Sequence, residues 1–291
     1  MTTMHDDLSE THILGPDTFQ IVVRQNDTDQ RPWLRHAPTC PALKHHRIAH
    51  AGACIAKDPY RIVRMQQSGA YFIACIGGEG RILVDGKWRV CKAGMACLLP
   101  PHMLNAFHAI PGKYWSFAWV RYEAAPNTHP ILSASSPMLA PFHGLAIHNA
   151  ISGLHSEAKG AATPSVIHQW LELVQTYVQQ FTQPLRMDNR LYHLWNHVEP
   201  RLEKDWTVDT LAARAHLSGE HLRRLCLHQL GRPPLRHLTW LRMRRAAELL
   251  STTDEKIETI AHLVGYQNPF VFSNTFKKWI GWRPSEHRNR T

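Results

Sequence analysis

Short runs rich in apolar residues recur between turns over residues 18–123 of the chain. The clearest runs are FQIVV (19–23), YRIVRM (60–65), AYFIACI (70–76), GRILVDG (80–86), ACLLP (96–100) and YWSFAWVRY (114–122). Turns that contain Gly or Pro separate them, which is typical of strands. Because the runs recur about every ten residues, the pattern predicts an all-β sandwich or barrel.

The pattern changes after residue 123. Residues 124–162 are rich in Pro, Ser, Ala and His and show little periodicity, so we interpret them as a loop or weakly structured connection. Apolar residues then recur at steps of three and four, which predicts an amphipathic helix over 163–181 that begins at Thr163 and Pro164. One apolar stripe fits the β-domain and a second copy of the chain equally well, so dimerisation through this helix is one of two interpretations.

From Leu185 onward the pattern is helical, and two similar segments lie about fifty residues apart. In TVDTLAARAHLSGEHLRRLCLHQLG (207–231), Thr207 is placed to cap a short helix and Ser218 to cap the next. In the second segment a helix ends at GYQ, and Asn268 with Pro269 starts the following helix. Each segment therefore predicts a helix, a tight turn and a second helix, the arrangement that reads the major groove of DNA.

A helix over PPLRHLTWLRMRRAAELL is predicted between the two segments and would hold them about one duplex turn, roughly 34 Å, apart. Arg242 falls within its apolar stripe. Because an unpaired buried charge is costly, we expect Arg242 to form an internal salt bridge or to anchor backbone carbonyl groups. Direct contact with DNA is the weaker alternative.

Residues 187–289 resemble the DNA-binding domain of the AraC/XylS transcriptional regulators. The resemblance rests on the turn Gly265-Tyr266, on Asn268-Pro269, Phe272 and Phe276-Lys277, and on the ending Gly281-x-x-Pro284. It implies two helix-turn-helix subdomains that bind double-stranded promoter DNA, with RNA polymerase as a further partner. By position, the resemblance assigns base reading to Glu220, Arg223, Arg224, Phe270, Ser273, Asn274 and Lys277. Pro200 departs from the family pattern because it interrupts the helix that should lead into the domain.

Residues 60–122 resemble, less closely, the cupin-like β-barrel that precedes this domain in sugar-responsive members of the family. The segment GGEGRILVDGKWRVCKAGMACLLPPHMLNAFH carries the resemblance, which implies a small-molecule effector, a sugar or similar polyol, in the barrel mouth. Aromatic faces and a few polar groups suit such a ligand, and the expected lining residues are Tyr71, His102, Trp115 and Trp119. An ordinary filled barrel core is the alternative for each of them.

Charge supports a polyanionic partner for the C-terminal region. The formal net charge is +10, with 15 basic and 12 acidic residues in 1–184 but 18 and 11 in 185–291. Charge alone would also fit a nucleic-acid packaging protein, whereas two ordered reader helices favour sequence-specific recognition. The six cysteines show no C-x-x-C pair, and neither a signal peptide nor an apolar run of 18 residues occurs. These features predict a cytoplasmic protein that has no membrane partner.

The sequence offers little for catalysis or metal binding. An enzymatic cupin needs several His ligands with a carboxylate, commonly from a His-x-His pair, but the barrel segment holds only His102 and His108, six residues apart. His45-His46 and the pair His193 and His197 lack matching Cys or carboxylate partners. No metal, cofactor or enzymatic activity is therefore expected, and a cupin-type sugar-modifying enzyme with an accessory helical domain is the alternative.

The combined expectation is an α+β multidomain protein. It consists of a cupin-like ligand-sensing barrel at 1–123, a connection with an amphipathic helix at 124–184, and an AraC-type double helix-turn-helix domain at 185–291. A homodimer follows only from the apolar stripe of the connecting helix.

Overall fold

The computed structural model describes residues 10–65, 68–123, 131–183 and 188–289. Within these residues a curled ten-stranded sheet, a half-barrel, precedes a helical region, which confirms the α+β fold class. The strands are β1 (Thr11–Ile13), β2 (Phe19–Arg24), β3 (Ile48–Lys57), β4 (Arg61–Arg64), β5 (Tyr71–Val84), β6 (Lys87–Lys92), β7 (Met95–Leu99), β8 (Asn105–Ala109), β9 (Tyr114–Tyr122) and β10 (Leu139–Pro141).

Strand β5 organises the sheet because its two halves pair with different neighbours. Its N-terminal part lies between β7 and β9, and its C-terminal part lies between β6 and β8. The register shifts against β9 between Cys75 and Gly77, where the strand bends. Gly78 has a φ of 64°, and a Cβ there would lie 2.0 Å from the carbonyl oxygen of Tyr114, so the bend requires glycine.

The helices before the C-terminal domain are α1 (Leu145–Lys159) and α2 (Pro164–Thr182). Helix α2 confirms the predicted amphipathic helix, with Pro164 in its first turn. The interpretation of 124–162 as a loop was wrong over α1, while 124–130 lie outside the described residues. Sequence reading missed α1 because Ser, His and Gly obscure a buried stripe at helical spacing, formed by Ile147, Ala150, Ile151 and Leu154.

The apolar stripe of α2 faces the barrel. Phe181 lies 5.3 Å from Phe72 of β5, measured between ring centroids. The Tyr122 hydroxyl group donates to Gln175 Oε1 at 2.8 Å, and a Cβ on Gly153 of α1 would overlap the Trp170 ring. The stripe is therefore covered within the chain, so it gives no support to the dimer interpretation.

The C-terminal helices are α3 (Asn189–Val198), α4 (Val208–Arg214), α5 (Gly219–Leu230), α6 (Pro234–Thr252), α7 (Ile257–Leu263), α8 (Pro269–Ile280) and α9 (Pro284–Arg288). Helix α3 ends before Pro200, which lies in a short 3₁₀ turn, as its missing N–H group leads one to expect. We call α4 with α5 the first unit and α7 with α8 the second unit.

The turn between β5 and β6 joins the barrel to both units. Asp85 and Gly86 have φ values of 54° and 68°, the two-residue hairpin geometry that Asp-Gly favours. Arg232, just after the first unit, donates from Nε to Asp85 Oδ2 at 2.6 Å and forms a second bond to Oδ1. A Cβ on Gly86 would lie 2.7 Å from the carbonyl oxygen of Lys278 in α8. We call Asp85–Gly86 the hairpin tip.

Candidate DNA interface and barrel cavity

Helix α5 presents polar side chains on the face that does not pack into the first unit. Ser218 Oγ accepts a hydrogen bond from the His221 N–H group at 3.2 Å, which confirms the predicted cap. The buried side consists of Leu222, Cys226 and Leu230. The predicted base-reading residues of this helix are exposed: Glu220, Arg223 and Arg224. Arg223 Nη1 lies 3.6 Å from Glu220 Oε2, a surface pair weak enough to yield to a phosphate or a base.

Helix α8 presents a different surface. Asn268 Oδ1 accepts hydrogen bonds from the N–H groups of Phe270 and Val271 at 2.8 and 3.3 Å, which confirms this cap as well. The buried side consists of Phe272, Phe276 and Ile280. Among the predicted base-reading residues, Ser273 is half-buried, and the exposed ones are Phe270, Asn274 and Lys277.

Two apolar side chains at the start of α8 are exposed to solvent. Phe270 is 82% exposed and Val271 is 53% exposed. Apolar side chains on a reader helix suit the methyl group of thymine, while an Asn such as Asn274 can pair with adenine. The exposed faces of α5 and α8 thus offer different chemistry, charged on α5 and largely apolar and amide, with Lys277, on α8.

Arg242 of α6 contacts both the segment that precedes the first unit and the turn of the second unit. Its Nε and Nη2 atoms donate to the carbonyl oxygens of Leu202 and Lys204 at 3.1 and 2.8 Å, which confirms the predicted carbonyl anchor. Its guanidinium carbon lies 5.6 Å from the centroid of the Tyr266 ring. A Cβ on Gly265 would lie 2.5 Å from Arg242 Nη2, so the turn of the second unit needs glycine there.

The barrel encloses a cavity of about 20 Å³, which is room for little more than one water molecule. Aromatic rings form most of its wall, and polar side chains come from several separate strands and loops. We call it the barrel cavity, and its lining consists of His12, Gln20, Trp33, Tyr60, Arg64, Tyr71, Ile73, Phe107, Phe117 and Trp119.

Arg64 is the buried cation of this cavity, with an exposed fraction of 6%. Its guanidinium carbon lies 4.4 Å from the Tyr71 ring centroid and 5.6 Å from that of Phe107. Across the part of the chain that the structure describes, the Nε and Nη1 atoms of Arg64 have no hydrogen-bond partner. Arg31 differs, because its Nε atom lies 2.8 Å from an oxygen of Asp29.

The histidines near the cavity are held neutral. Burial, followed by Arg121, Arg31 and Arg64, keeps the pKa of His50 well below its usual value. Because Trp119 Nε1 donates to His50 Nδ1 at 3.0 Å, the single imidazole proton lies on Nε2, 3.2 Å from the Tyr71 hydroxyl oxygen.

His12 lies at the edge of the cavity, in the three-residue strand β1. Partial burial, Arg64 and Arg31 lower the pKa of His12 to about 4. The ring stacks on Trp33 with centroids 5.3 Å apart, so a neutral imidazole closes this side of the cavity.

A family model described as an AraC-like ligand binding domain matches residues 58–237, more than half of the chain. The chain belongs to the AraC/XylS family of transcriptional regulators. A second model, described as a helix-turn-helix domain, matches residues 211–290, a range that contains α5 and α8. This AraC-family chain is therefore a DNA-binding transcriptional regulator with a ligand-binding domain.

Relatives that span most of the chain are regulators by name. The MmsAB operon regulatory protein of Pseudomonas aeruginosa is 25% identical, covering 81% of this chain and 80% of the relative. The arabinose operon regulatory protein of Escherichia coli is 26% identical, covering 73% and 78%. The lactose operon transcription activator of Staphylococcus xylosus is 30% identical, covering 73% and 81%.

The structure separates the four side chains predicted to bind an effector. Tyr71 and Trp119 line the barrel cavity of this AraC-family chain. Trp115 is fully buried, its ring centroid 4.3 Å from that of Phe117, and it is not among the lining residues. His102 lies in the turn before β8, at a φ of 58°, and is also outside the lining.

Sequence reading missed the polar part of the lining. His12, Trp33 and Arg64 are far apart along the chain and meet only when the sheet curls. The one available signal was YRIVRM, where Arg61 and Arg64 flank the apolar pair Ile62-Val63.

Neither a cluster of metal ligands nor a membrane-spanning helix occurs in the described residues. Among residues 10–65, 68–123, 131–183 and 188–289, no group of three or more His, Cys, Asp or Glu side chains is arranged to hold a metal ion. No helix within those same ranges is long and apolar enough to cross a membrane.

Proposed function

We propose that this AraC-family regulator senses a small carbohydrate-like effector in its barrel and binds a two-box promoter site through α5 and α8. The single observation that supports DNA reading most strongly is the pair of capped helices with buried apolar faces and exposed outer faces. The proposed base-reading residues are those predicted above. The proposal treats the chain as a non-enzyme, in line with the regulators to which it is similar.

The carbohydrate part of the proposal has two supports. Two of the relatives named above regulate arabinose and lactose operons by name. The barrel cavity also has aromatic walls, including Tyr71 and Trp119, with polar groups such as Gln20 between them, which is how proteins bind small polar ligands. His102 and Trp115 stay predictions, and their positions make them weaker candidates than Tyr71 and Trp119.

Strand β5 is the proposed link between effector and DNA. Its first residues, Tyr71 and Ile73, line the barrel cavity, and its far end carries the hairpin tip that contacts Arg232 and α8. An effector that binds better when β5 holds one docking arrangement would shift the population toward that arrangement. Contact with RNA polymerase completes the proposal by family resemblance, while the homodimer stays a prediction that the covered stripe of α2 does not support.

The experiment is selection of genomic DNA fragments by the purified full chain at physiological salt, with and without a panel of sugars. We expect enrichment of sites with two boxes about one helical turn apart and a change in enrichment with the correct effector. Binding with equal affinity to all sequences would contradict the proposal, because only the electrostatic contribution would remain.

A further inference from the structure

The barrel cavity contains a positive charge that the described part of the chain leaves uncompensated. Arg64 is buried, and two of its guanidinium nitrogens have no hydrogen-bond partner there. The rings of Tyr71 and Phe107 lie against it. Ring faces attract a cation, but they offer no oxygen atom to accept its N–H groups.

An unpaired buried arginine lowers the stability of the folded chain unless it binds a partner. A buried arginine is normally paired and hydrogen-bonded, because removing an ion from water costs several kcal/mol. Leu or Met in place of Arg64 would fill this position without that cost. A partner that comes from outside the chain explains why a cation stands there.

The surrounding charges favour an anion. Arg31, Arg64 and Arg121 all lie close enough to His50 to lower its pKa. Of the nearby carboxylates, Asp29 is already bound to Arg31. The imidazole rings of His12 and His50 are neutral, so they neither add to this positive charge nor cancel it. An anion in the cavity would meet a net positive field and a free planar fork of N–H donors.

Building on the proposed sensory function, we propose that the effector carries a carboxylate that binds the Arg64 guanidinium, so that it is a sugar acid rather than a neutral sugar. The planar guanidinium matches the two oxygens of a carboxylate. The single charge of the Arg64 guanidinium balances one negative charge, whereas a phosphate monoester carries about two. Gln20 and Tyr60, which also line the cavity, are placed to bind hydroxyl groups.

A sugar acid enters only if the cavity opens, because its volume is about 20 Å³. The His12–Trp33 stack is the part best suited to move. His12 lies in a strand of three residues at the end of the sheet order, so few ladder hydrogen bonds hold it.

The test measures the dissociation constant by calorimetry for the full chain and matched pairs of ligands: galacturonate with galactose, and glucuronate with glucose. We expect an acid to bind at least about tenfold more tightly than its neutral partner, because hydrogen bonds to charged groups are the strong ones. Arg64→Met should bind the acid more weakly than the wild type by at least the same factor. Arg81→Met removes an exposed arginine from another barrel strand, β5, and should leave affinity unchanged.

A second measurement separates a binding role from a structural one. Without ligand, Arg64→Met should unfold at the same or a higher temperature than the wild type, since an unpaired buried charge is removed. Stabilisation by the acid should disappear. A large fall in the unfolding temperature of Arg64→Met without ligand would overturn the inference, because Arg64 would then be a structural residue.

The remaining outcomes distinguish this inference from the proposed function. Equal affinity for a sugar and its acid, or binding of glucose 6-phosphate in place of every acid, overturns the inference but leaves sensing intact. Binding of benzoate, without binding of any sugar acid, would support the contact between a carboxylate and Arg64 but contradict a carbohydrate effector. Failure of every ligand overturns the inference together with the sensory half of the proposed function, while the DNA selection tests the other half separately.

Discussion

The two helix-turn-helix units repeat one local design fifty residues apart and differ in the residue that follows it. Ser218 and Asn268 cap the reader helices, and Gly231 and Gly281 end them in the left-handed conformation. The next residue is Arg232 in the first unit and Trp282 in the second. The repeat therefore diverges at the position that faces the barrel.

That difference gives each unit its own connection to the barrel. The Arg232 side chain is 2% exposed and binds Asp85 at the hairpin tip. Trp282 is 6% exposed and belongs to the same buried cluster as Met103 and Leu104 of the barrel. The first unit is held by a charged pair and the second by apolar packing, so one local design is coupled to the sensory domain in two physically different ways.

The largest expected effect comes from the apolar core of the second unit. Phe276→Ala removes a fully buried ring from α8 and should lower the free energy of unfolding by about 3–5 kcal/mol. Phe270→Ala removes the same side chain from the exposed face of the same helix and should change that free energy by less than about 0.5 kcal/mol. Urea denaturation followed by tryptophan fluorescence measures both, and equal losses would contradict the assigned faces.

The next effect breaks the charged connection. Arg232→Ala leaves Asp85 buried without its main partner and should cost about 3 kcal/mol of unfolding free energy. Arg236→Ala is the matched control, because its half-exposed side chain lies 3.8 Å from the same carboxylate; it should cost less than about 1 kcal/mol. If both variants unfold at the same urea concentration, the hairpin tip is not held by Arg232.

A smaller effect appears with pH, through a histidine just after the first unit. Burial and Arg232 keep the pKa of His237 well below 6.5, so the unfolded chain takes up a proton near pH 6.5 while the folded chain does not. Stability is therefore fully present above that pH and falls as pH decreases below it, by at most about 1.4 kcal/mol per pH unit for this group.

Unfolding measured between pH 7 and pH 5 tests this dependence. His237→Gln keeps a donor for the carbonyl oxygen of Ala134, which lies 2.6 Å from His237 Nε2, and should reduce the slope. The exposed His262→Gln of the second unit is the control and should leave the slope as it is. An unchanged slope in His237→Gln would contradict the assignment.

The C-terminal domain was largely predictable because its signals are local. Helices α5 and α8 each have their cap, their buried stripe and their terminal glycine within about fifteen residues. The anchoring role of Arg242 was predictable because its charge lies within an apolar stripe. The contacts to the barrel were not predictable. Asp85 and Arg232 are separated by 147 residues, about half of the chain, and nothing in either local sequence indicates the other.

The barrel was predictable as strands but not as a site. Their aromatic side chains predict Tyr71 and Trp119 as lining residues of the cavity. The same criterion also predicts Trp115, which packs into the core. Arg64 was overlooked because its neighbours, from His12 to Trp119, are brought together by strand pairing across more than a hundred residues. Helix α1 was not predicted because small and polar residues obscure its buried stripe.

The central claim is that α5 and α8 each read their own box of a two-box site, and one measurement tests it directly. Binding of a library with both boxes randomised is measured for the wild type, Arg224→Ala and Asn274→Ala. We expect each variant to lose discrimination in one box only, by about 1–3 kcal/mol at a single base pair, in boxes about one helical turn apart. Uniform loss of affinity across all sequences in both variants would contradict the claim, because the two helices would then contact only phosphates.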